Sequence, residues 1–561
     1  MKKYPFLIPI GFLLLFFYIP LITILKESFF VDQRLTLENF TELISSYYHR
    51  YVILFTIKQA FISLIFTLIL GLPAAYIFTR YSFPGKNIIR PLFLIPFVLP
   101  SILVALGFIL LYGQNGYLNR FLGTFNSNIR ILYRLEAIIL AHSFYNFPIV
   151  LKFVSDAWQR INKNYLAAAQ TLGANKLTLF FRITLPSLLP SIINASVLVF
   201  IYCFMSFGIV LVLGSVRYTT VEVNIYMLIY HMIRFPMGMA LGSIQLLFSL
   251  IFLFIAIRSN QYYIKHLNLL NVVSNYEGQI PLFRFSANKG RLNLSRIISI
   301  LYLLLLMIIM IGPMLAIISF GLLANLKQGL FDLDLIKTIF QYNQIIGSSV
   351  SLAIWNSIIL ALSASLLTVL LSLLLTQSLI MLERNPRTTK FAGLLEFLTI
   401  IPLVVSPVTF SLGYLRIIQT GSININRLLL IIFAHVIITI PFASRIIIQA
   451  VRNIPENQVK AARTLGMNGI NTLIKVIIPQ IRRGLLLAFS FAFAISLGEL
   501  GAVMMLGRNY ITIPLAIYRF IGARRLTPAV NMGILLLAVT FLFFLLIEKL
   551  TTDHPKEPGS V

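Results

Sequence analysis

Long apolar segments, separated by short polar stretches, occupy almost the whole chain. A membrane-spanning helix needs about 20 consecutive, mostly apolar residues. A first group of such windows falls near residues 6–26, 52–79, 88–112, 133–155, 186–213 and 237–257. A second group falls near residues 297–320, 349–380, 391–415, 428–451, 482–506 and 528–548. The pattern predicts an all-α integral membrane protein with about twelve transmembrane helices in two groups of six.

The composition agrees with this pattern. Of the 561 residues, 58% are hydrophobic and 11% are charged, whereas soluble domains usually have about 25% charged residues. An ordinary soluble protein is therefore excluded. Lys2 and Lys3 precede the first apolar window, which continues to Lys26 without a small-residue cleavage site, so we expect an uncleaved first span. The single cysteine, Cys203, excludes an internal disulfide.

The net charge of +28 would suit a nucleic-acid-binding protein, but the distribution of the charge favours a simpler explanation. If both termini are cytoplasmic, most Lys and Arg residues fall in cytoplasmic segments, as the positive-inside rule requires. We therefore predict a multi-pass protein of the inner (cytoplasmic) membrane with both termini in the cytoplasm. We expect the protein to be embedded in the lipid membrane and to have no nucleic-acid partner.

The two groups of spans are copies of one another. Gly173 and Gly466 lie 293 residues apart, and three further pairs share that separation: His142 and His435, Pro148 and Pro441, Gly208 and Gly501. An even number of spans separates the copies, so both have the same orientation in the membrane. We predict a first domain over residues 1–257, a basic cytoplasmic linker over 258–296, a second domain over 297–550 and a cytoplasmic tail over 551–561.

The most similar segments of the two copies are loops after the fourth span of each, at about residues 157–186 and 452–479. They read AAAQTLGANKLTLFFRITLP and KAARTLGMNGINTLIKVIIP. Good helix formers precede Gly173 and Gly466, and each glycine stands where a left-handed residue ends a helix. We expect Pro186 and Pro479 to open the next spans. These two loops are called the twin loops below.

The twin loops resemble the cytoplasmic "EAA" loop of ABC-importer permeases, E-A-A-x3-G-x9-I-x-L-P. The first loop keeps Ala168, Ala169, Gly173 and Pro186, and the second keeps Ala461, Ala462, Gly466 and Pro479. Ala167 and Lys460 stand where the motif has glutamate. The resemblance covers nearly the whole chain, because each half looks like one six-span permease domain.

The resemblance implies the type I ABC importer permease fold and a transport role. In that family the loop is a coupling helix that inserts into a groove of the ATPase subunit. It implies two copies of an ABC ATPase and an extracytoplasmic substrate-binding protein as partners. The implied ATPase-coupling residues are Ala168, Ala169, Gly173, Pro186, Ala461, Ala462, Gly466 and Pro479. No cofactor is expected on this chain, since ATP would be used by the partner.

Further segments resemble fused permeases for ferric iron or thiamine. They are SFYNFPIVLKFVSDAW, YCFMSFGIVLVLG followed by RYTTVEVNIY, and ISLGELGAV followed by ITIPLAIYRFIG. Ferric iron is the first expectation for the cargo, and thiamine or its phosphates the second. The chain has no compact cluster of iron ligands in its sequence, and its 13% aromatic residues are typical of lipid contacts and interfaces.

Ionisable residues inside predicted spans are costly and each suggests a function. His142 and His435 occupy matching positions, where they either hydrogen-bond to a neighbouring helix or lie near the substrate path. Glu499 stands where the first half has Ser206. A carboxylate there either meets a cationic cargo or pairs with a neighbour. These four residues are the candidates for the translocation path, and we predict no metal site.

No G-x-x-x-x-G-K-[ST] phosphate loop occurs in the chain, so we expect no ATP hydrolysis by this chain itself. No H-E-x-x-H, C-x-x-C or paired-carboxylate signature indicates an enzyme either. The alternative from another class is an ion-coupled secondary transporter with a six-plus-six repeat. Buried acid and base relays would favour that alternative, and the twin loops disfavour it. A membrane enzyme is the third interpretation.

Overall fold

The computed structural model describes residues 7–31, 34–161, 163–267, 280–282, 294–328, 340–383, 387–421, 425–507 and 510–552. The predicted linker and tail therefore lie partly outside the described residues. The helices before the linker are α1 Leu7–Leu13, α2 Ile19–Ser28, α3 Glu38–Ser45, α4 Tyr47–Arg80, α5 Lys86–Leu92, α6 Ser101–Tyr112, α7 Tyr117–Gly123, α8 Leu135–Gln159, α9 Lys163–Thr171, α10 Lys176–Leu179, α11 Leu185–Phe204, α12 Gly208–Leu213, α13 Val221–Tyr230 and α14 Phe235–Leu267.

Most helices of the first half have a counterpart among the described helices of the second half, although α3 and α7 have none. They are α15 Leu294–Gln328, α16 Val350–Glu383, α17 Thr389–Ile400, α18 Pro407–Gln419, α19 Arg427–Arg452, α20 Glu456–Thr464, α21 Gly469–Thr472, α22 Ile478–Leu497, α23 Gly501–Leu506, α24 Ile513–Gly522 and α25 Leu526–Thr552. In the described part of the chain, the strands form two-residue pairs only: β1 Phe30–Val31 with β2 Arg34–Leu35, β3 Tyr81–Ser82 with β4 Ile280–Pro281, and β5 Tyr342–Asn343 with β6 Ser348–Ser349.

Among the described residues, eleven helices are long and apolar enough to cross a membrane, or twelve if one bent pair forms a single span. The all-helical prediction is confirmed, and the structure corrects several span boundaries. The window at 391–415 is the bent pair, in which Thr389–Val404 and Pro407–Gln419 meet at 95°. The matching window at 88–112 is also divided, into α5, a 3₁₀ turn at Ile95–Phe97 and α6. A proline lacks the N–H of a continuous helix, and Pro96, Pro100, Pro402 and Pro407 lie at these breaks.

The fifth span of each half also differs from its predicted window. The helix begins about ten residues earlier, at Lys176 or Gly469, and ends at Phe204 or Leu497. A second short helix, α12 or α23, then follows within the predicted window. Each half also has a short apolar helix, α13 or α24, in the matching segments TTVEVNIY and ITIPLAIY.

The chain forms two compact units, which differ from the two sequence repeats. One unit contains Met1–Phe40, Leu228–Ser243 and Leu323–Val561, and the other contains Thr41–Met227 and Ile244–Leu322. The first span of each half therefore belongs to the unit built mainly from the other half. The domain boundaries predicted above describe the repeats and remain a prediction about them.

Close helix crossings explain why the first spans pack this way. A Cβ on Gly413 of α18 would lie 2.3 Å from the carbonyl oxygen of Pro20 in α2. In the other unit, a Cβ on Gly107 of α6 would lie 2.8 Å from the carbonyl oxygen of Pro313 in α15. Glycine at both crossings lets the two backbones touch, as small residues do in membrane helix packing. The hydroxyl of Tyr18 also donates to the carbonyl oxygen of Leu398 at 2.9 Å.

A second matched contact holds the short helices α13 and α24. The Thr56 hydroxyl of α4 accepts a hydrogen bond from the Val221 N–H at 2.9 Å. The Ser357 hydroxyl of α16 accepts one from the Ile513 N–H at 2.7 Å. Each hydroxyl satisfies one of the N–H groups that a helix start leaves unpaired. The duplication in the sequence is thus a duplication of tertiary contacts.

Candidate functional site

The twin loops have the same backbone. In the first loop α9 ends at Thr171, Gly173 follows with φ of +82°, and α10 begins at Lys176. In the second loop α20 ends at Thr464, Gly466 follows with φ of +83°, and α21 begins at Gly469. Positive φ favours glycine because it has no Cβ. The predicted left-handed conformation of both glycines is confirmed.

Two backbone hydrogen bonds close each of these helix ends. In the first loop the Gly173 N–H donates to the Gln170 carbonyl at 3.0 Å, and the Ala174 N–H donates to the Ala169 carbonyl at 2.9 Å. This pair of bonds defines the Schellman motif. The second loop repeats them at 3.0 and 3.1 Å, from Gly466 to Arg463 and from Met467 to Ala462. The direction in which the chain leaves each helix is therefore fixed by the glycine.

An asparagine two residues after each glycine starts the next helix. The Asn175 side chain accepts a hydrogen bond from the Thr178 N–H at 2.8 Å, and Asn468 accepts one from the Asn471 N–H at 2.8 Å. Asparagine is a preferred residue at this position. Neither cap was predicted from the sequence, although the repeated G-x-N spacing could have revealed both.

Pro186 and Pro479 do not open the next spans, which corrects the sequence prediction. The helix already runs from Lys176 or Gly469, and a π-helical turn at Phe180–Thr184 or Leu473–Ile477 precedes each proline. In this turn the Leu185 N–H bonds to the Phe180 carbonyl, five residues back. A π turn shifts the carbonyl groups away from the proline ring, which would clash in a regular helix.

The four alanines of the motif differ in exposure. Ala168 and Ala461 are exposed, Ala169 is half-buried and Ala462 is buried, with 5% of its surface accessible. The expectation that all four contact the ATPase is therefore corrected for Ala462, which is buried within the chain itself. Ala168 and Ala461 are the members of each pair that a partner can reach.

Exposed apolar side chains on the twin loops were missed by the sequence analysis. Leu172 and Leu465 precede the two glycines and are 87% and 80% exposed. Two more pairs of apolar residues have the same separation in sequence as the two glycines, and they are also exposed. They are Leu177 with Ile470 and Phe181 with Ile474. Single exposed leucines are common, but Leu172 and Leu465 occupy the same position in both copies and precede the fifth spans, so a protein partner can reach both.

A cavity of about 760 Å³ lies beside the second loop. Its wall is mainly apolar and includes Leu374, Ile380, Val451, Val459, Ile470 and Leu473. At its edge the Arg452 guanidinium pairs with the Glu383 carboxylate at 2.5 Å, which joins the ends of α19 and α16. In the first half, the Arg90 guanidinium likewise pairs with the Asp156 carboxylate at 3.1 Å and joins α5 to α8. Both pairs brace a span immediately before a twin loop.

His142 lies in a buried polar cluster of the first half. It is 1% exposed, and its Nδ1 forms a hydrogen bond with the Ser63 hydroxyl at 3.2 Å. The Asn146 amide donates to the His142 carbonyl at 3.0 Å and to the Cys203 sulfur at 3.3 Å. These contacts join α4, α8 and α11.

His435 lies in the matching cluster of the second half. It is 1% exposed, and its Nδ1 forms a hydrogen bond with the Ser496 hydroxyl at 2.7 Å. The Thr439 hydroxyl donates to the His435 carbonyl at 2.8 Å and bonds to the Thr368 hydroxyl at 2.7 Å. Among the residues that the structure describes, Nε2 of both histidines has no hydrogen-bond partner. Of the two interpretations, contact with a neighbouring helix is present, and a place on the substrate path remains a prediction.

Ser206 and Glu499 occupy the matching breaks after α11 and α22, and both are half-buried. The Glu499 carboxylate accepts a hydrogen bond from the Ala502 N–H at 3.2 Å, at the start of α23. A carboxylate is favourable at a helix N-terminus because of the unpaired N–H groups there. Glu499 therefore has a structural partner while part of its surface stays accessible. Among the described residues, no group of three or more His, Cys, Asp or Glu could hold a metal ion.

Comparison with known proteins gives a family match over most of the chain. The family model described as "Binding-protein-dependent transport system inner membrane component" matches residues 67–265 and 378–552. These two segments contain one twin loop each. The duplication read from the sequence is therefore matched by two copies of one family domain.

Curated relatives cover nearly the whole chain. A "Thiamine transport system permease protein ThiP" from Brucella suis biovar 1 is 27% identical over 512 residues, which cover 90% of this chain and 88% of that protein. The protein of the same name from Escherichia coli K12 is 25% identical over 514 residues, with 90% of each covered. A "Sulfate transport system permease protein CysT" from Salmonella typhimurium is 34% identical over 202 residues, 36% of this chain and 72% of that protein.

Among solved structures, a bacterial ABC transporter involved in the import of the acidic polysaccharide alginate is similar to about half of the chain. Its matching chain has a TM-score of 0.39 and 21% identity, and the match covers 45% of this chain and 91% of that one.

Proposed function

Because the chain belongs to the family of binding-protein-dependent transport system inner membrane components, we propose that it is the membrane subunit of an ATP-driven importer. An ABC ATPase in two copies docks on the twin loops, and an extracytoplasmic binding protein delivers the cargo from the other side. The observation that supports this assignment best is the identical construction of the twin loops, with Gly173 and Gly466 at φ of +82° and +83°.

In this proposal the twin loops transmit the closure of the ATPase pair to the spans. The exposed apolar residues Leu172 and Leu465 and the alanines Ala168 and Ala461 meet the ATPase surface. Each Schellman turn sets the angle between the docking helix and the helix that continues through the π turn into the membrane. Movement of α9 or α20 is therefore passed to α11 or α22 without a flexible joint. Alternating access then results from one repeat moving against the other.

For the cargo, we propose thiamine or a thiamine phosphate. Relatives that carry the name of thiamine permeases cover 90% of the chain, which supports this choice over ferric iron, the first expectation from the sequence. Ferric iron remains the second candidate on the resemblance of the YCFMSFG and ISLGELG segments, and the experiment below compares the two cargoes. Glu499 is the candidate contact for a cationic cargo, because it is a half-buried acidic residue at the break after α22 of a basic protein.

The test is transport by the purified complex of the chain, its ATPase and its binding protein in proteoliposomes without an ion gradient. We expect uptake of labelled thiamine that requires enclosed ATP and loaded binding protein. A complex whose ATPase lacks the phosphate-loop lysine is the control and should not transport. Uptake that is driven by a proton or sodium gradient, without ATP, would identify the chain as an ion-coupled secondary transporter. Uptake of ferric iron and not of thiamine would overturn the choice of cargo alone.

A further inference from the structure

Three aromatic side chains of the first half form a cluster at mid-span. The Phe97 ring lies 6.2 Å from the Tyr145 ring and 5.9 Å from the Tyr202 ring, measured between centroids. They come from the 3₁₀ turn of the third span, from α8 and from α11. Aromatic clusters of this spacing are common in protein cores, so the distances alone do not indicate a function.

The exposure of the cluster distinguishes it from core packing. All three residues are half-buried, and the chain neighbours of Tyr145 and Tyr202 are buried. Tyr145 is the one residue between Ala141 and Leu151 that is not buried. It belongs to the span Leu135–Gln159, which is 78% buried, the largest share among the described spans. An accessible residue on a helix that is otherwise so deeply buried indicates contact with an internal space and not with lipid.

The second half has the same exposure at the same positions with different chemistry. Leu403, Ile438 and Ile495 match Phe97, Tyr145 and Tyr202, and all three are half-buried among buried neighbours. The same three positions are therefore partly accessible in both copies of the repeat, whichever residues stand there. The aromatic rings belong to the first copy. Positions that stay accessible in buried helices of both repeats are candidates for a surface that a cargo reaches.

We propose that Phe97, Tyr145 and Tyr202 form a contact surface for a planar aromatic cation on the translocation path. Aromatic rings stack on planar ligands and attract cations through their electron-rich faces. A hydrated metal ion gains less from such a surface, because hard cations prefer oxygen ligands that can enter their coordination shell. This inference rests on the proposed import function and adds the residues that favour an aromatic cargo over ferric iron.

The test replaces each ring by the residue at the matching position of the second half, as F97L, Y145I and Y202I together. The control is F153I on the same span, which also takes the residue of the second half, Ile446. Phe153 is 40% exposed, lies outside the cluster and has no assigned role. Thiamine uptake by the reconstituted importer is measured as a function of loaded binding-protein concentration.

We expect the maximal uptake rate of the triple variant to fall by roughly tenfold or more, because cation–π contacts in desolvated sites are worth about 2 kcal/mol. The binding-protein concentration at half-maximal rate should not change, since the cluster acts after release of the cargo. F153I should transport like the wild type, and Y145F/Y202F, which keeps the rings, should stay within about threefold.

Wild-type transport separates a failure of this inference from a failure of the proposed function. If the wild type carries thiamine and the triple variant carries it equally fast, the cluster has no part in transport and the inference is wrong. If the wild type carries ferric iron instead, the cargo proposal fails and the inference fails with it. If the triple variant is not recovered as folded protein, Y145I and Y202I singly decide: normal maximal rates in both would contradict the inference.

Discussion

At the scale of single residues, the two glycines of the twin loops carry a requirement that no neighbouring residue shares. Both have φ above +80°, and a Cβ built on either would meet no atom within 4 Å. A substitution there is therefore opposed by the backbone conformation and not by lack of space. Left-handed backbone costs a residue with a Cβ about 1–2 kcal/mol, and a β-branched residue is also stiff at χ1.

The first prediction is that G173V and G466V redirect the docking helices while the spans still insert. Each single variant should lose most of its uptake, and the double variant nearly all. Asparagine tolerates the left-handed region, so G173N and G466N should keep more activity than the valine variants. G123V is a matched control, because Gly123 also has open space around its Cβ but no positive φ. Full uptake by the double valine variant at normal protein level would contradict a role of these glycines in coupling.

The second prediction concerns the two buried histidines. If His142 and His435 lie on the substrate path, H142Q/H435Q should reduce uptake while membrane insertion and ATPase binding stay normal. Glutamine can keep one hydrogen bond to Ser63 or Ser496. A loss of uptake would therefore not result merely from the loss of that structural contact. Uptake and ATPase co-purification are measured for the same preparations. Normal uptake would assign the histidines to the structural contacts that join α4 to α8 and α19 to α22.

At the scale of elements, the short helices and the breaks in the spans decide the direction and the accessibility of several side chains. A π turn precedes each proline at Pro20, Pro186 and Pro479. The broken spans place 3₁₀ turns at matching positions, where Phe97 and Leu403 become accessible. At each of these breaks, side chains point in directions that a straight helix would not give them.

These breaks also mark the limit of prediction from the sequence. The number of spans, the duplication and the left-handed glycines follow from periodicity and local conformational preference, and the structure has them. The exchange of first spans between units depends on the contact of Gly413 with Pro20 and of Gly107 with Pro313, hundreds of residues apart in sequence. Hydropathy windows do not contain that information.

The third prediction tests the twin loops as docking elements. L172S/L465S should weaken co-purification of the ATPase, because an interface loses about 25 cal/mol for each Å² of apolar surface that is no longer buried. Folding should be unaffected, since both side chains are almost fully exposed in the chain by itself. L35S, at a leucine that is 75% exposed outside the twin loops, is the control. ATPase retention equal to that of L35S would show that the exposed leucines do not contact the ATPase.

At the scale of the whole molecule, the duplication places two similar domains in one chain, where other proteins would use two identical subunits. In a fused chain, one domain can acquire substitutions that the other does not have. The docking features are kept in both copies: the left-handed glycine, the asparagine cap, the exposed leucine and the π turn before proline. The inward positions differ, with Phe97, Tyr145 and Tyr202 in one copy and aliphatic residues in the other. In the proposed importer, symmetry is thus retained where two equal ATPase subunits bind, and it is lost where a single asymmetric cargo passes.

The last prediction follows from this division and concerns stoichiometry. The purified chain should bind two ATPase copies, one on each twin loop, and should hydrolyse no ATP without them. Native mass spectrometry of the complex should therefore give one chain with two ATPases for the wild type. G173V or G466V should each give mainly a complex with one ATPase, because the damaged loop releases its copy while the other loop keeps the Schellman turn. The double valine variant should give the chain without ATPase. Two ATPases on the double variant would mean that docking does not depend on the twin loops, and a single ATPase on the wild type would mean that the two copies are not equivalent as docking sites.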